Sequence, residues 1–297
     1  MITVFGSTNL DQVGTVSRLP KPGETVAGGT FSMAAGGKGA NQALAARRAG
    51  AEVRHVSAVG KDAFADLALD LLKKDGVDLT GVKQVEGPSG IAMIFVDTHG
   101  ENVIAILPGA NGTVSAADAD RELAGLNGGV MLVQQEVPQA ATERALDLAK
   151  SAGVTTILNT APFLDTTAAL ARKADIVIAN ETEFALLSGR SLSELDAAMA
   201  DWARTHNQTV IVTLGGDGAR AATGDGKRIV VPALTVTPVD TVGAGDTFCG
   251  YLAAGLDAGL DLEAAMRRAA VAASLACLKP GAQPAIPYTG EVEAAAD

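Results

Sequence analysis

The sequence predicts an α/β fold: a doubly wound, mostly parallel sheet with helices on both faces, plus a small β-sheet beside it. From about residue 37 onward, short apolar runs alternate with longer segments of helical periodicity, which is the pattern of βαβ units. Two stretches, 11–33 and 90–107, have strand character without intervening helices and break that alternation. The 297 residues, 47% of them hydrophobic, are enough for a large buried core.

The elements follow in chain order. Ile2-Thr3-Val4-Phe5 predicts the first strand, and compact apolar runs predict buried strands of the parallel sheet at 53–59, 130–133, 155–158, 176–179 and 209–214. Helical patterns cover 62–74, 139–151, 193–206, 245–259 and 262–278, and another helix ends near residue 48. We treat residues 1–297 as one domain whose last ten residues, 288–297, form a frayed tail.

The two helix-free stretches predict a small separate sheet. Residues 11–33 contain a turn, Pro-Lys-Pro-Gly, at 20–23. In residues 90–107, apolar residues alternate with others before a turn at His99-Gly100, and a second apolar run returns, as in a hairpin. Because these strands are inserted between βαβ units, we expect them to stand apart from the main sheet.

The composition excludes several classes of function. The chain has 23 Lys and Arg against 34 Asp and Glu, a net charge of −11, which argues against a nucleic acid or an anionic membrane as partner. No apolar run is long enough to span a bilayer, and no basic leader precedes the first strand. Cys249 and Cys277 form no metal or redox motif, and three scattered histidines form no zinc cluster, so we expect a protein of the reducing cytoplasm.

The most specific segment covers residues 240–248, Asp-Thr-Val-Gly-Ala-Gly-Asp-Thr-Phe, and leads into an apolar helix. Gly243, Ala244 and Gly245 can place backbone N–H groups at the helix N-terminus, where the helix dipole favours a phosphate or the charge on a transferring phosphoryl group. Asp246 lies in the first turn, where its carboxylate can reach a substrate hydroxyl beside that phosphate. The alternative is a glycine turn in which Asp246 only caps the helix.

A second glycine cluster, Gly-Gly-Lys-Gly-Ala-Asn-Gln at residues 36–42, opens the helix that ends near residue 48. Clustered glycines at a helix start allow a ligand to approach the backbone closely. The amide of Asn41 can donate to and accept from sugar hydroxyls. An ordinary turn followed by a helix has the same local pattern.

Two further segments lie where predicted strands end. Residues 180–183, Asn-Glu-Thr-Glu, are expected at the carboxyl edge at which open α/β sheets bind ligands, and Glu183 can hold Mg²⁺ through water. An ordinary acidic helical turn is the alternative. Residues 213–218, Thr-Leu-Gly-Gly-Asp-Gly, nearly match a dinucleotide fingerprint, but a hairpin turn at 222–227 stands where that fingerprint needs a helix.

Together, residues 240–248 and 36–41 resemble the two signatures of the ribokinase-like (PfkB) carbohydrate kinases. The similarity extends from Gly-Ser-Thr-Asn-Leu-Asp at residues 6–11 to Gly-Ala-Gln-Pro at residues 281–284, nearly the whole chain. It implies an α/β domain with a β-sheet lid, which the two helix-free stretches fit. It also implies ATP-dependent phosphorylation of D-ribose at its 5-hydroxyl and a homodimer that forms through the lid.

The resemblance implies roles for single residues near the sugar. In the family, the sugar lies between the lid and the main sheet. The positions that match its sugar-binding residues are Asn9, Asp11, Gly37, Lys38, Asn41, Glu136 and Asp246. Asp246 also matches the base that takes the proton from the primary hydroxyl, and Gly243, Ala244 and Gly245 match the anion hole.

The resemblance further implies sites for nucleotide and cations. The positions that match ATP contacts are Asn180, Thr213, Leu214, Gly215, Gly216, Asp217, Gly218, Gly245 and Ala270. Glu183 matches the acidic residue near Mg²⁺. The positions that match a monovalent-cation site, occupied by K⁺ in relatives, are Asp240, Val242, Ala276, Lys279, Gly281 and Ala285.

Three positions depart from the family pattern. Ala270 stands where His or Asn is common near adenine, and Cys249 stands where Asn is common. Ala285 stands where Ser supplies a hydroxyl to the cation site. We therefore expect K⁺ activation to persist but to need more K⁺.

Other functions remain open from the sequence. The acceptor can be another sugar or a nucleoside, such as fructose, 2-keto-3-deoxygluconate or adenosine, because one pocket contact is worth only about 1–3 kcal/mol. A catalytically silent sugar- or nucleotide-binding regulator is the alternative from another class, and the intact Asp246 argues against it. A nicotinamide-dependent dehydrogenase is a third reading, and the missing helix after Gly218 argues against it.

Overall fold

The computed structural model describes residues 1–296 and contains two β-sheets. The strands are β1 (Ile2–Phe5), β2 (Asn9–Val16), β3 (Gly28–Gly36), β4 (Val53–Gly60), β5 (Asp78–Val85), β6 (Gly90–Val96), β7 (Asn102–Leu107), β8 (Val130–Val133), β9 (Thr155–Asn159), β10 (Ile176–Asn180), β11 (Thr209–Thr213), β12 (Ala219–Ala222) and β13 (Arg228–Val231).

Nine of these strands form the large sheet, in the order β13-β12-β11-β10-β9-β8-β1-β4-β5. All neighbours from β11 to β5 pair in parallel, and the β11-β12 and β12-β13 pairs at one edge are antiparallel. The other four strands form what we call the small sheet, in the order β3-β2-β6-β7. The predicted fold class, a mostly parallel sheet with a separate small sheet, is confirmed.

The helices alternate with the strands of the large sheet. They are α1 (Lys38–Arg48), α2 (Ala63–Lys74), α3 (Ala116–Glu122), α4 (Gln139–Ser151), α5 (Thr167–Ala171), α6 (Glu181–Ser188), α7 (Leu195–His206), α8 (Ala244–Asp257), α9 (Leu262–Ala276), α10 (Ala282–Ala285) and α11 (Thr289–Ala296). Short 3₁₀ turns occupy Gly109–Thr113, Leu192–Glu194 and Gly215–Asp217. No helix within residues 1–296 is long and apolar enough to cross a membrane.

Helices cover both faces of the large sheet because side chains alternate along each strand. Ile2 and Val4 of β1 lie in one core with residues of α1, α8 and α9. Phe5, on the opposite face of the same strand, lies in a second core with residues of α4 and α7. Because these strands are parallel, their carboxyl ends meet at one edge of the sheet. That edge lies between the N-termini of helices from both layers.

Two sequence predictions need correction. The small sheet begins at Asn9 and includes residues up to Gly36, so Gly36 ends strand β3 and the helix α1 begins only at Lys38. The predicted frayed tail is wrong through residue 296, because α11 forms there and buries Val292 in the core. One apolar residue among Glu and Ala gives too weak a periodicity to predict that helix, and residue 297 lies outside the described residues.

Candidate active site

Asp246 lies in the first turn of α8, at the carboxyl edge of the large sheet, and is buried. Its carboxylate accepts hydrogen bonds from two consecutive side chains of α1. The amide of Asn41 donates to Oδ2 at 2.9 Å, and the amide of Gln42 donates to Oδ1 at 2.9 Å. The structure thus brings together the two glycine-rich segments that the sequence singled out. Asn41 and Asp246, which are in contact, are 205 positions apart in the chain.

The two helices come this close because a glycine faces the contact. A Cβ on Gly250 of α8 would lie 2.5 Å from the Cβ of Ala45 and 2.6 Å from the carbonyl oxygen of Gln42, both in α1. No side chain larger than hydrogen fits between the helices there. The close packing of α1 against α8 therefore sets the distance between Gln42 and Asp246.

The turn before Asp246 presents free donors. Gly243 precedes α8 with a φ of 78°, a conformation that favours glycine, and a Cβ there would also press against Ala282. The N–H of Ala244 donates to the Thr241 carbonyl oxygen, whereas no protein acceptor within residues 1–296 takes the N–H of Gly245 or Asp246. Two donors at the positive end of a 14-residue helix suit an anion.

A small cavity of about 140 Å³ adjoins these donors. Its wall includes Lys38, Glu183, Gly245, Asp246 and the buried Cys249. The carboxylate of Asp246 raises the pKa of Lys38, against the lowering effect of burial. A fixed positive charge therefore stands beside the free N–H groups.

Glu136 lies on the other side of Lys38, after β8, where a sugar-binding residue was predicted. Its Oε2 accepts a hydrogen bond from the hydroxyl of Ser7 at 2.5 Å and from the backbone N–H of Lys38 at 3.0 Å. Both donors bind Oε2 and so orient the carboxylate. Neither of them contacts Oε1. Ser7 lies within residues 6–11 but was not predicted as a site residue.

Asn9 and Asp11 face the same region from strand β2 of the small sheet. Asn111 donates to Oδ1 of Asn9 at 2.7 Å, so the amide group of Asn9 has a defined orientation. A Cβ on Gly36 would lie 2.3 Å from Oδ2 of Asp11, so the neighbouring strand needs glycine at this position. Asn111 is a second residue that the sequence analysis missed as a contact of the candidate sugar site.

Burial, together with repulsion from Glu136 and Asp246, raises the pKa of Asp11 from 3.8 to about 7, and Lys38 opposes the shift. Asn41, which reaches Asp246 through its Nδ2, keeps a buried Oδ1 that has no partner within residues 1–296. An unpaired buried acceptor is costly, and a ligand hydroxyl would satisfy it. Acceptors in fixed positions are what vicinal hydroxyls require.

Glu183 opens helix α6 and also borders the small cavity. It forms a capping box with Asn180 at the start of α6, and its Oε2 also accepts from the hydroxyl of Thr160 at 2.9 Å. The carboxylate also borders the small cavity. The helix-capping reading is confirmed, and the cavity position keeps the carboxylate next to any phosphate bound there.

A larger cavity of about 600 Å³ continues from the small one along the edge of the sheet. Of the positions predicted to contact nucleotide, its wall contains Asn180, Thr213, Gly215, Gly216, Gly218, Gly245 and Ala270. Leu214 and Asp217 do not line either cavity: Leu214 packs against the hydrophobic core, and Asp217 is exposed in a 3₁₀ turn. Strand β12 follows Gly218 directly, so the dinucleotide fingerprint is wrong, as the hairpin pattern predicted.

Two residues of the predicted cation site contact the carboxylate of a third, Asp240. Asp240 accepts from the backbone N–H of Val242 at 3.0 Å and from that of Gly281 at 2.8 Å. Ala276 ends helix α9, and Ala285 is buried at the end of α10. The side chain of Lys279 pairs with Glu291.

Comparisons with known proteins agree with this geometry. Residues 1–288 match the pfkB family of carbohydrate kinases. The chain is 35% identical to a ribokinase of Haemophilus influenzae, covering 98% of this chain and 96% of that protein. It is 36% identical to a deoxyribokinase of Salmonella typhi, covering 96% and 95%. It is 37% identical to a bifunctional ribokinase/ribose-5-phosphate isomerase A of Fructilactobacillus sanfranciscensis over 96% of this chain, which spans 54% of that protein.

Solved structures show the same architecture. A ribokinase of Arabidopsis thaliana, complexed with ribose and ATP, superposes with a TM-score of 0.89 at 31% identity and covers 100% of this chain and 98% of its own. A ribokinase of Thermotoga maritima gives a TM-score of 0.89 at 33% identity, with 99% of this chain and 98% of that chain covered.

Proposed function

The chain belongs to the pfkB family of carbohydrate kinases, and from that membership we propose that it transfers the γ-phosphoryl group of ATP to the 5-hydroxyl of D-ribose. One observation carries the proposal. The buried carboxylate of Asp246 accepts from Asn41, one of the predicted sugar-binding residues, and borders the small cavity, which adjoins the cavity of about 600 Å³ along the sheet edge. Gly245, whose N–H is free, lines both cavities.

The chemistry follows from what these groups can do. Asp246 accepts the proton of the sugar hydroxyl, while the amides of Asn41 and Gln42 stabilise its ionised form. The free N–H groups and the Lys38 ammonium stabilise the negative charge that develops during transfer. General-base action supplies about 10²–10⁴-fold, so positioning and charge stabilisation supply the rest.

The nucleotide and Mg²⁺ fit the residues present. ATP supplies the phosphoryl group, and Mg²⁺ neutralises charge on its phosphates. The larger cavity has room for a nucleotide and opens onto the small one through Asn180, Thr213 and Gly245, which line both. Glu183 is the residue that would hold Mg²⁺ through water, because Mg²⁺ keeps several waters and takes few carboxylates.

The test is a coupled ADP-release assay over a panel of acceptors: D-ribose, 2-deoxyribose, fructose, 2-keto-3-deoxygluconate and adenosine. We expect the highest kcat/KM with D-ribose. The second candidate is 2-deoxyribose, which the similarity to a deoxyribokinase at 36% identity favours. If no acceptor leads to ADP release, the proposed kinase activity is overturned and a binding protein without catalysis is favoured.

The affinity for sugar is expected to depend on pH through Asp11. The ionised carboxylate accepts from hydroxyls at both oxygens, whereas protonation turns one of these acceptors into a donor. The raised pKa of about 7 leaves Asp11 largely protonated at pH 6 and largely ionised at pH 8. The KM for ribose should therefore fall roughly tenfold between these pH values, as the competent fraction rises. Kinetics at constant ionic strength measure this. Asp11→Asn should give a higher KM that does not change with pH, and a wild-type KM independent of pH would contradict the prediction.

The same ionisation affects stability with a defined sign. The native state holds the Asp11 proton up to about pH 7, whereas the unfolded chain releases it near 3.8. Asp11 therefore makes its full contribution to the free energy of unfolding below about pH 4. That contribution is lost as pH rises toward about 7. Urea denaturation of wild type and Asp11→Asn at both ends of this window separates this contribution from those of the other groups.

We infer a homodimer formed through the small sheet, which serves as the lid. Phe31 on β3 and Val103 and Leu107 on β7 lie on one face of this sheet and are about half exposed or more, at 66%, 52% and 49%. An uncovered apolar sheet surface favours association. Light scattering should give twice the chain mass at micromolar concentration, and Val103→Glu should give the monomer. Leu192→Glu, at an equally exposed leucine outside this sheet, is the control, and a monomeric wild type would remove the dimer.

We also propose a K⁺ site at Asp240. The available donors, one carboxylate and backbone carbonyls, are oxygens of the kind that bind K⁺. Each oxygen of Asp240 accepts one backbone N–H and keeps lone-pair capacity. Ala285 offers no hydroxyl, and a water would have to take that place.

Titration of KCl against Tris chloride at constant ionic strength is expected to raise kcat and the midpoint of thermal unfolding. Ala285→Ser should lower the half-activating K⁺ concentration, because it restores one ligand oxygen. A flat response of both proteins in both measurements would show that the loop before α8 is held by packing alone.

Both cysteines are free thiols, which agrees with the reducing cytoplasm that we propose as the location.

A further inference from the structure

Gln42 uses the full capacity of its side-chain amide, and one of its partners is Asp246. It is completely buried next to Asn41 in the first turns of α1. Its Nε2 donates to Oδ1 of Asp246 at 2.9 Å and to Oδ1 of Asn159 at 3.2 Å. Its Oε1 accepts from Nε2 of Gln134 at 2.6 Å. A primary amide has two N–H donors and one oxygen, and all are engaged.

This arrangement defines which way the amide points. If the amide rotated by half a turn, Oε1 would face the oxygens of Asp246 and Asn159, and Nε2 would face the amide nitrogen of Gln134. All three hydrogen bonds would be replaced by contacts between like partial charges. The buried amide therefore has one orientation, in which it donates to Asp246.

The partners of Gln42 are themselves held by the ends of three neighbouring strands. Gln134 follows β8, and a Cβ on Gly6, after β1, would lie 2.0 Å from Oε1 of Gln134. Gln134 therefore fits only because residue 6 is glycine. Asn159 ends β9, and its Nδ2 donates to the carbonyl oxygen of Ile178 on β10 at 3.3 Å. The rigid sheet thus supports the amide that contacts Asp246.

The two amides on Asp246 differ in their surroundings. Asn41 donates to Oδ2 and keeps a buried, unpartnered Oδ1, the kind of atom that a sugar hydroxyl would satisfy. Gln42 has no such free atom and donates to Oδ1 from the side of the sheet. Oδ1 of Asp246 is the oxygen held by the protein interior, and Oδ2 is the oxygen on the side of the sugar-binding residue.

We propose that Gln42 is a positioning residue for the phosphoryl transfer: supported by Gln134 and Asn159, it fixes the plane of the Asp246 carboxylate so that Oδ2 meets the reacting hydroxyl. This inference rests on the proposed function, in which Asp246 is the base. Gln42 acts through Asp246 and does not itself contact the sugar. Its loss should therefore affect kcat and leave binding of sugar and ATP in place.

The test is Gln42→Met, which keeps the length and volume of the side chain but removes every polar atom. We expect kcat to fall about 10–100-fold, since a displacement of about 1 Å at a reacting group costs up to about 10²-fold. The KM values for ribose and ATP should stay within about threefold. The acid side of the pH profile of kcat should move to higher pH, because the carboxylate loses a donor that favours its ionised form.

Two further variants separate positioning from structure. Gln134→Met removes only the support behind Gln42 and should change kcat and the pH profile in the same direction by a smaller factor. Gln208→Met is the matched control, because Gln208 is also a buried glutamine whose amide donates to two carbonyls, those of Ala171 and Ala174. It should lower the thermal midpoint and leave kcat and the pH profile unchanged. If Gln42→Met does not fold, Gln134→Met decides the question.

The outcomes distinguish this inference from the function beneath it. The positioning role alone is overturned if the wild type is active and folded Gln42→Met has an unchanged kcat and pH profile. If Gln42→Met does not fold, the same result in Gln134→Met overturns it. A raised KM for ribose at unchanged kcat also overturns it, because it would make Gln42 part of the sugar site. A wild type that phosphorylates no acceptor overturns the proposed function, and the positioning role with it.

Discussion

Asp246→Asn is expected to lower kcat for sugar phosphorylation by about 10²–10⁴-fold, the range that a general base contributes. Asparagine has nearly the same shape but cannot accept the proton of the hydroxyl. Its carbonyl oxygen can still accept from Gln42, so the packing of α1 against α8 should persist. Stopped and continuous ADP-release assays give kcat, and calorimetric titration with ATP analogues gives nucleotide affinity, which should stay within a few-fold of wild type.

The control for this substitution is Asp70→Asn on α2, where an exposed carboxylate pairs with Lys74. The same change of charge at that position should leave kcat unaltered, since exposed pairs contribute little. A turnover of Asp246→Asn within about threefold of wild type would remove Asp246 from the role of base. It would leave Asp246 as a buried structural acceptor for Asn41 and Gln42, since the cap of α8 is Gly243 and no side chain caps the helix.

Gly37→Ala is expected to have the second-largest effect, on both stability and activity. Gly37 precedes α1 with a φ of 87°, and an added Cβ would lie 2.6 Å from the backbone nitrogen of Asn9 and 3.0 Å from the Cα of Thr8. Backbone strain and overpacking each cost about 1–3 kcal/mol, so the free energy of unfolding should fall by about 2–6 kcal/mol. The variant should also lose at least about 100-fold in kcat/KM for the sugar, because the backbone of Asn9 is pushed away from the start of α1.

Gly50→Ala separates strain from contact. Gly50 has a φ of 100°, and nothing lies within 4 Å of the position of an added Cβ. We expect a loss of about 1–2 kcal/mol from the unfavourable φ alone, with kcat/KM unchanged. Urea denaturation measures both free energies. Equal losses in the two variants, or full activity of Gly37→Ala, would mean that the contact between α1 and the small sheet tolerates a methyl group.

Much of the fold was predictable because its signals are local. The strands β8 and β10 and the helix α4 are apolar runs or periodic segments whose bounds agree with the prediction to within a residue. The two glycine-rich turns before helices were also predictable, because Gly37 and Gly243 take positive φ there, although α1 begins two residues later than predicted. Exposed edge strand β5 and the short helices α3 and α11 were missed, since few of their residues are buried and their patterns are weak.

The candidate site was predictable residue by residue but not as a set of contacts. Asp246, Asn41 and Glu183 could be singled out because each opens a helix or follows a strand, and the family resemblance added Glu136. The partners that orient them could not. Ser7 meets Glu136 across 129 positions of the chain, and Asn111 meets Asn9 across 102.

The sequence by itself determined the class of fold, the two glycine-rich helix starts and the residue types of the candidate site, because backbone preference and periodicity act over a few neighbouring residues. Only the tertiary structure decided that Gln42 holds Asp246, that Asp11 shares its surroundings with two other carboxylates, and that the tail packs as α11. These features depend on side chains that meet only when α1, α8 and the strand ends are packed together. A contact across 204 residues leaves no periodic trace in the chain, and the pKa of Asp11 follows from burial and from charges that only the folded protein brings near.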